Sequence, residues 1–227
     1  MNIILTGVTG NLGAEIGRKL LSKNYGVVPV LSSQESLGKL KTSFNNLSSF
    51  KEVVFCDLVK DPLPSFVIKN ASAIIHCAGI VHFHDAKDSN QRMMMNLIKH
   101  INNSDIQLSY ASTAYLYKPN QEPFSNQYEE DKSKAEEILI NSKVSSTIFR
   151  PSILTGHSRT GEIINFSGFY LALGAFIKAL NSTNDVVRFP KLSGYVNLVP
   201  VDIAANVMVI VIIWVVLLMF IMMLVGF

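Results

Sequence analysis

Five short apolar runs, separated by stretches long enough for a helix or a loop, constrain the fold most. They read NIILTG from Asn2, GVVPVLSS from Gly26, EVVFCDL from Glu52, SAIIHCAG from Ser72 and IQLSYAST from Ile106. Runs this apolar suit strands covered on both faces, so the alternation predicts a βαβ series and a doubly wound, Rossmann-like parallel sheet of the α/β class. Pro29 falls inside the second run, where it removes a ladder donor, so that strand should be irregular or paired on one side only. A helix is predicted from about Tyr128 to Leu139, and STIFRPSILTG reads as one further strand ending in a loop. No internal repeat or long linker interrupts the series.

The turn after the first run carries three glycines, Gly7, Gly10 and Gly13. With Asn2 to Leu5 as a strand and Ala14 to Leu21 as the start of an amphipathic helix, the glycines lie in a tight strand-to-helix turn. Glycine has no Cβ to block a pyrophosphate and tolerates positive φ, and the helix behind it aims free N–H groups and its positive dipole end at the phosphates. A strand before the motif and a helix after it are the setting of a dinucleotide site. An NAD-preferring site has an acidic residue at the end of the second strand. Here Leu31, Ser32 and Ser33 stand there, with Lys39 and Lys41 downstream, so NADP is favoured and NAD is second.

Tyr128 and Lys132 lie four residues apart, on one face of the predicted helix. A tyrosine serves as an acid–base group near neutral pH when a neighbouring cation stabilises its phenolate. Upstream, Ser112 and Thr113 end a predicted strand at the carboxyl edge of the sheet, where a hydroxyl and the tyrosine together are able to hold a substrate oxygen as charge develops on it.

Through TGVTGNLG, STAYLY, YEEDK and FRPSILTG the sequence resembles the extended short-chain dehydrogenase/reductase superfamily. IIHCAGIVHF, RPSILTGHSRTGEI and NLVPVDIAA make it most similar to the thioester reductase and fatty acyl-CoA reductase group, the male-sterility type NAD-binding domain, over about Met1 to Ala205. The resemblance implies that the turn from Gly7 through Thr9, Gly10, Asn11 and Leu12 to Gly13 binds the pyrophosphate. Ser32 stands where relatives carry an arginine for the 2′-phosphate. Asp57 and Leu58 would flank the adenine, while Ala78, Gly79, Pro151 and Ser152 would line the nicotinamide end. Thr113 would be the catalytic hydroxyl, better matched than Ser112, and Tyr128 the proton donor. Lys132 would hold the nicotinamide ribose and lower the Tyr128 pKa. The implied activity is NAD(P)H-dependent reduction of an acyl thioester, on CoA or a separate carrier protein, to an aldehyde. A sugar-nucleotide epimerase or hydroxyl dehydrogenase, and a truncated nucleotide binder without turnover, are the alternatives. Family members are longer, with much of the substrate domain after the Pro-Val-Asp segment, so the expected organisation is a cofactor domain with a partial substrate region over 1–202 and a hydrophobic tail over 203–227.

Composition narrows the rest. At 227 residues, 48% of them hydrophobic, the chain has enough apolar material for a core. A net charge of +3, with lysines and arginines dispersed, gives no nucleic-acid footprint. Two cysteines, Cys56 and Cys77, and the lack of a leader pattern read as a reduced, cytosolic body in which both thiols are buried and inert. Asn-x-Ser/Thr triplets at Asn46, Asn70, Asn102, Asn165 and Asn181 then reflect composition. His82 and His84 alternate as strand ligands do, but no third ligand stands at sensible spacing, so no metal is expected. From Ile203 onward no charged residue occurs. As a helix, Ala204 to Phe227 would measure about 36 Å against a hydrocarbon core of about 30 Å. The segment reads as a membrane anchor with the catalytic domain cytosolic and Arg188 and Lys191 nearest on the domain side, as a buried family helix, or as an accident of a shifted frame.

Overall fold

The computed structural model describes residues 1–80, 87–102, 104–118, 120, 122–182 and 196–225, the side chains of 220–225 excepted. Six strands, β1 (Asn2–Thr6), β2 (Gly26–Leu31), β3 (Val54–Phe55), β4 (Ala73–His76), β5 (Gln107–Ala111) and β6 (Ser146–Phe149), form one parallel sheet in the order β3-β2-β1-β4-β5-β6. Strand order reverses between β1 and β4, which opens a crevice at their carboxyl ends.

Alternate residues of each strand serve opposite faces. Ile4, Val28, Ile74 and Leu108 pack with Met93, Met94 and Leu97 of α4 (Ser89–Ile98) and with Ala135 and Leu139 of α5 (Gln127–Ile140); the one-turn helix α3 (Ser65–Ile68) adds Val67 and Ile68. On the other face Ile3, Leu5, Val27 and Ile75 meet Ile16 and Leu20 of α1 (Asn11–Ser22) and Leu40 of α2 (Gln34–Ser43). That second face is completed by Val201, Ala205, Met208, Val209 and Ile212 of α7 (Val201–Val225). The division expected between residues 202 and 203 therefore falls inside a helix whose first half is core. By length and composition Val201–Met219 is apolar enough to cross a membrane, with 33% of its most apolar window buried against the body, and Met219 Sδ lies 3.9 Å from Ser145 Oγ.

Pro29 pairs with Leu5 of β1 only. The carbonyls of Val27 and Leu31 accept from the N–H groups of Lys51 and Cys56 on the other side, so Pro29 turns its missing donor toward β3, just before that ladder starts at Val30. The further strand expected over STIFRPSILTG is split. At Arg150–Pro151 the chain leaves the sheet, and β7 (Ile153–Thr155) pairs with β8 (Leu198–Pro200) in a separate two-stranded ribbon flanking α6 (Phe169–Asn181). His82, His84, Arg188 and Lys191 lie outside the described residues.

Candidate active site

The first helix begins at Asn11, earlier than its sequence pattern predicts, so Gly13 belongs to its first turn and Gly10 is its N-cap. Gly7 has φ +71°, and a Cβ there would meet the Ala78 nitrogen at 2.4 Å. A Cβ on Gly13 would lie 2.1 Å from the Gly7 carbonyl oxygen. Gly13 thus seats the helix against the turn. No side chain caps α1 and no acidic residue occupies its first turn, which leaves its N–H groups and dipole directed at an anion.

A cleft of about 620 Å³ opens at the crevice. Gly7, Thr9 and Gly10 line it from the turn, Ser32, Ser33 and Ser36 from the end of β2, Asp57, Leu58 and Lys60 from the end of β3, and Cys77, Ala78 and Gly79 from the end of β4. Ser33 caps α2 and receives the Ser36 N–H at 3.3 Å. The cation that reaches the cleft is Lys60, paired with Asp57 at 2.9 Å, while Lys39 pairs with Glu35 at the surface. This contour suits a dinucleotide: a backbone cradle for phosphates, a hydroxyl cluster with one lysine, and no unpaired carboxylate at the end of β2.

Four of the expected binding residues do other work. Leu12 is buried in the core. Asn11 accepts the Asn165 N–H at 2.8 Å and donates to its carbonyl at 2.9 Å, while Asn165 Nδ2 donates to the Thr9 carbonyl at 3.0 Å. That clasp ties the segment before α6 to the glycine turn, and it occupies the amide of one triplet asparagine. Pro151 accepts from the Ala114 N–H and Ser152 donates to the Asn197 carbonyl, so both shape the bend after β6 and neither lines the cleft.

Beside the cleft, β5 and α5 bring Thr113, Tyr128 and Lys132 together. Asn126 caps α5, its Oδ1 accepting from Glu129 N–H at 3.0 Å, and this fixes the first turn that carries Tyr128. The Tyr128 hydroxyl lies near that of Thr113. Burial pushes its pKa up, with the Thr113 hydroxyl acting the other way. Lys132 stands one turn further along α5. Its Nζ donates to the Ala111 carbonyl at 3.1 Å and sits 4.7 Å above the Tyr110 ring. Burial holds Lys132 down at about 8. A Cβ on Gly79 would stand 3.1 Å from Lys132 Nζ and 3.1 Å from Asn90 Oδ1, so the lysine adjoins the cleft wall directly.

Sequence reasoning missed the scaffold behind this group. Asp131 is buried and accepts from both the backbone and the side-chain amides of Asn90 and Gln91, which locks the start of α4 to α5. Asn90 in turn accepts the Ile80 N–H at 3.3 Å. Asp131 was legible only as one charge of YEEDK, and nothing in the spacing marked Asn90. Ser112, the alternative hydroxyl, is buried with an unpartnered Oγ. His76 Nδ1 and the Thr6 hydroxyl share a hydrogen bond of 2.7 Å, and Thr6 Oγ1 also accepts the Ala78 N–H. Burial pushes the Cys77 thiol up to about 12 and also raises Cys56, so both stay protonated. Among the described residues no cluster of metal-ligand type occurs.

The sequence matches the model of the NAD dependent epimerase/dehydratase family over residues 3–209. A search of the curated proteins finds no match. Among solved structures, the PhqB reductase domain from Penicillium fellutanum is 19% identical with a TM-score of 0.72, covering 92% of this chain and 63% of that one. Yeast Gre2, a methylglyoxal/isovaleraldehyde reductase complexed with NADPH, is 16% identical with a TM-score of 0.68, over 92% and 73%. WbmH of Bordetella bronchiseptica, in complex with NAD+, is 20% identical with a TM-score of 0.65, over 92% and 70%. At these identities the likeness speaks for the fold. The thioester reductase group resembles this chain through its motifs alone. With the family model spanning nearly all of the sheet and the glycine turn at its switch point, the chain belongs to the NAD-dependent epimerase/dehydratase family, whose cofactor is a nicotinamide dinucleotide.

Proposed function

We propose that this protein is an NADP(H)-dependent reductase acting on a carbonyl, and that the carbonyl is that of an acyl thioester carried by CoA or by a separate carrier protein. The observation that carries the reading is the convergence of Thr113, Tyr128 and Lys132 beside Gly79, at the wall of a cleft suited to a dinucleotide. Gly7, Thr9 and Gly10 would hold the pyrophosphate, Asp57 and Leu58 the adenosine, Ser32, Ser33, Ser36 and Lys60 a 2′-phosphate, and Ala78 and Gly79 the nicotinamide side. When bound, the cofactor supplies the hydride.

The chain's own contribution is to hold one oxygen and move one proton. Thr113 and Tyr128 present two hydroxyls to the carbonyl oxygen, and stabilising the charge that develops there supplies the largest share of the acceleration in such chemistry. Tyr128 stays protonated at neutral pH because burial raises its pKa, so it is charged with the proton that the oxygen takes. Collapse of the resulting hemithioacetal breaks the C–S bond, returns that proton to the departing sulfur, and yields aldehyde and thiol. Buried Lys132, held near 8, keeps a positive charge beside the tyrosine's helix turn at neutral pH.

A second reading, a sugar-nucleotide epimerase using the same residues, draws on the description of the matching family. NADPH consumption by the purified full chain across acyl-CoA thioesters, aldehydes and ketones, measured beside epimer formation from sugar nucleotides, which is redox-neutral and consumes no NADPH, separates the readings. Turnover with acyl-CoA supports the proposal; turnover confined to other carbonyls or to sugar nucleotides overturns it. Tight NADPH binding with no turnover on the whole panel assigns a nucleotide-binding protein without activity.

A further inference from the structure

We infer that the outer face of α7 is a membrane-docking surface on which the protein lies side-on in one leaflet. The helix has two different sides. Val201, Ala205, Met208, Val209 and Ile212 are buried against the body, whereas Ile203, Val207, Ile210, Trp214, Leu217 and Leu218 point outward and are 45–63% exposed. The outward residues recur at intervals of four and three, a straight apolar stripe about 22 Å long at 1.5 Å per residue.

Water is the wrong neighbour for such a stripe. Apolar surface of this extent, contiguous and all on one face, marks an interaction site. Lipid suits it better than a second copy of the helix. A helix pair in water flanks its apolar seam with charges that set register and orientation, but after Asp202 the helix contains no charged residue at all. An uncharged flank is what a hydrocarbon environment demands, since each charge there costs several kcal/mol, about 2.5–3.5 for a basic or acidic residue at the centre. Trp214, the most exposed member at 63%, is the residue type that settles at the headgroup boundary. The buried inner side of Val201–Ile212 holds that half of the helix against the body and sets its outer stripe side-on. The inference stands apart from the reductase reading and needs neither cofactor nor substrate in its test.

Trp214 is the only tryptophan in the chain, which makes its fluorescence a direct reporter. The full chain is mixed with phosphatidylcholine vesicles, with and without phosphatidylglycerol, floated on a density gradient, and its emission recorded. Expected are flotation with both vesicle types, a blue shift of Trp214 on vesicle addition, and strongest quenching by lipids brominated near the carbonyl end of the acyl chain. Val207→Glu with Leu217→Glu lowers the floated fraction at least about tenfold, given the cost of a charge replacing an apolar contact with lipid. Ile210→Lys alone does the same in milder form if the double variant loses its fold by circular dichroism. Flotation that the variants do not change overturns the inference, as does binding restricted to anionic vesicles and reversed by salt. A blue-shifted emission without vesicles, with twice the monomer mass by light scattering, assigns the face to a second copy. The same blue shift at monomer mass assigns it to another part of the chain, and either result overturns lipid docking.

Discussion

Helices α1 and α6 are nearly equal in length, at 12 and 13 residues, yet α1 buries seven of its residues and α6 buries none. The difference divides the molecule by function. Around α1 the sheet, the glycine turn and α7 close a complete core, so the cofactor half is rigid and its chemistry is set. Around α6, Leu171, Ile177 and Leu180 are 47–61% exposed, and Tyr170 accepts the Gly156 N–H from the residue just after β7. Specificity in a fold of this kind resides in the pocket and not in the cofactor half. The open half is therefore where substrate choice must be made.

The hardest way to break the contrast is at the rigid end. Tyr128→Phe keeps the packing and removes the hydroxyl, and the expected result is a fall of about 10²–10⁴-fold in kcat, the range for a lost acid–base group. NADPH affinity, followed by fluorescence titration, should stay within about twofold because the aromatic ring still fills its site. An equal loss of binding and turnover would mean that Tyr128 shapes the cleft and does not act on the carbonyl.

Next in size is Gly13→Ala. Its Cβ would fall 2.1 Å from the Gly7 carbonyl oxygen, a backbone atom held between β1 and β4. Overpacking there should cost about 2–3 kcal/mol, read as a lower Tm, with weakened NADPH binding because the turn must shift. An unchanged Tm would show that the turn is softer than the core behind it.

Lys132 gives a smaller effect with a definite sign. Burial lowers its folded pKa from 10.5 to about 8, so between those values the unfolded chain binds the extra proton and stability rises with pH. Cys77 opposes this above 9.0, its ordinary value, because burial raises it to about 12. The clean window is pH 8 to 9. There wild-type protein should gain about 1 kcal/mol relative to Lys132→Met in urea titrations, and a flat difference would mean that the lysine is hydrated in the folded state.

The smallest expected effect lies in the open half. Gly174 sits in α6 with nothing within 4 Å of a Cβ, so Gly174→Ala should stabilise by about 0.5–1 kcal/mol through helix propensity alone. Thermal melts of Gly13→Ala and Gly174→Ala side by side put the two halves on one scale. Destabilisation by Gly174→Ala would reveal that α6 is packed against something, and the comparison would then need redrawing.

What the sequence disclosed followed from local periodicity. All five apolar runs became strands, because parallel strands buried on both faces leave little choice of residue, but β2 pairs with both β1 and β3, and the one-sidedness expected of the strand is confined to Pro29 itself. Gly7 was legible for the same reason, since its φ of +71° is a local requirement. Contacts across long sequence distances were not legible. The Asn11–Asn165 clasp joins residues 154 apart, Asp131 caps a helix 40 residues upstream, and the cleft cation is Lys60 in place of Lys39 or Lys41. Each depends on where the sheet places two loops, which neither loop encodes alone. Composition left the segment after Ile203 open between an anchor, a buried family helix and an accident of frame; in the structure its first three turns fill the core beside α1, as the buried helix would.

The two-residue strand β3 has a consequence for how copies of this protein meet. A sheet edge recruits foreign strands in proportion to the length of unpaired ladder it offers. Here one edge presents only Val54 and Phe55, and the opposite edge, β6, ends at Phe149 with Pro151 just beyond it. Neither margin gives an incoming strand a ladder long enough to hold its register. Self-association at high concentration should therefore proceed through the apolar helices and leave the sheet content measured by infrared spectroscopy unchanged.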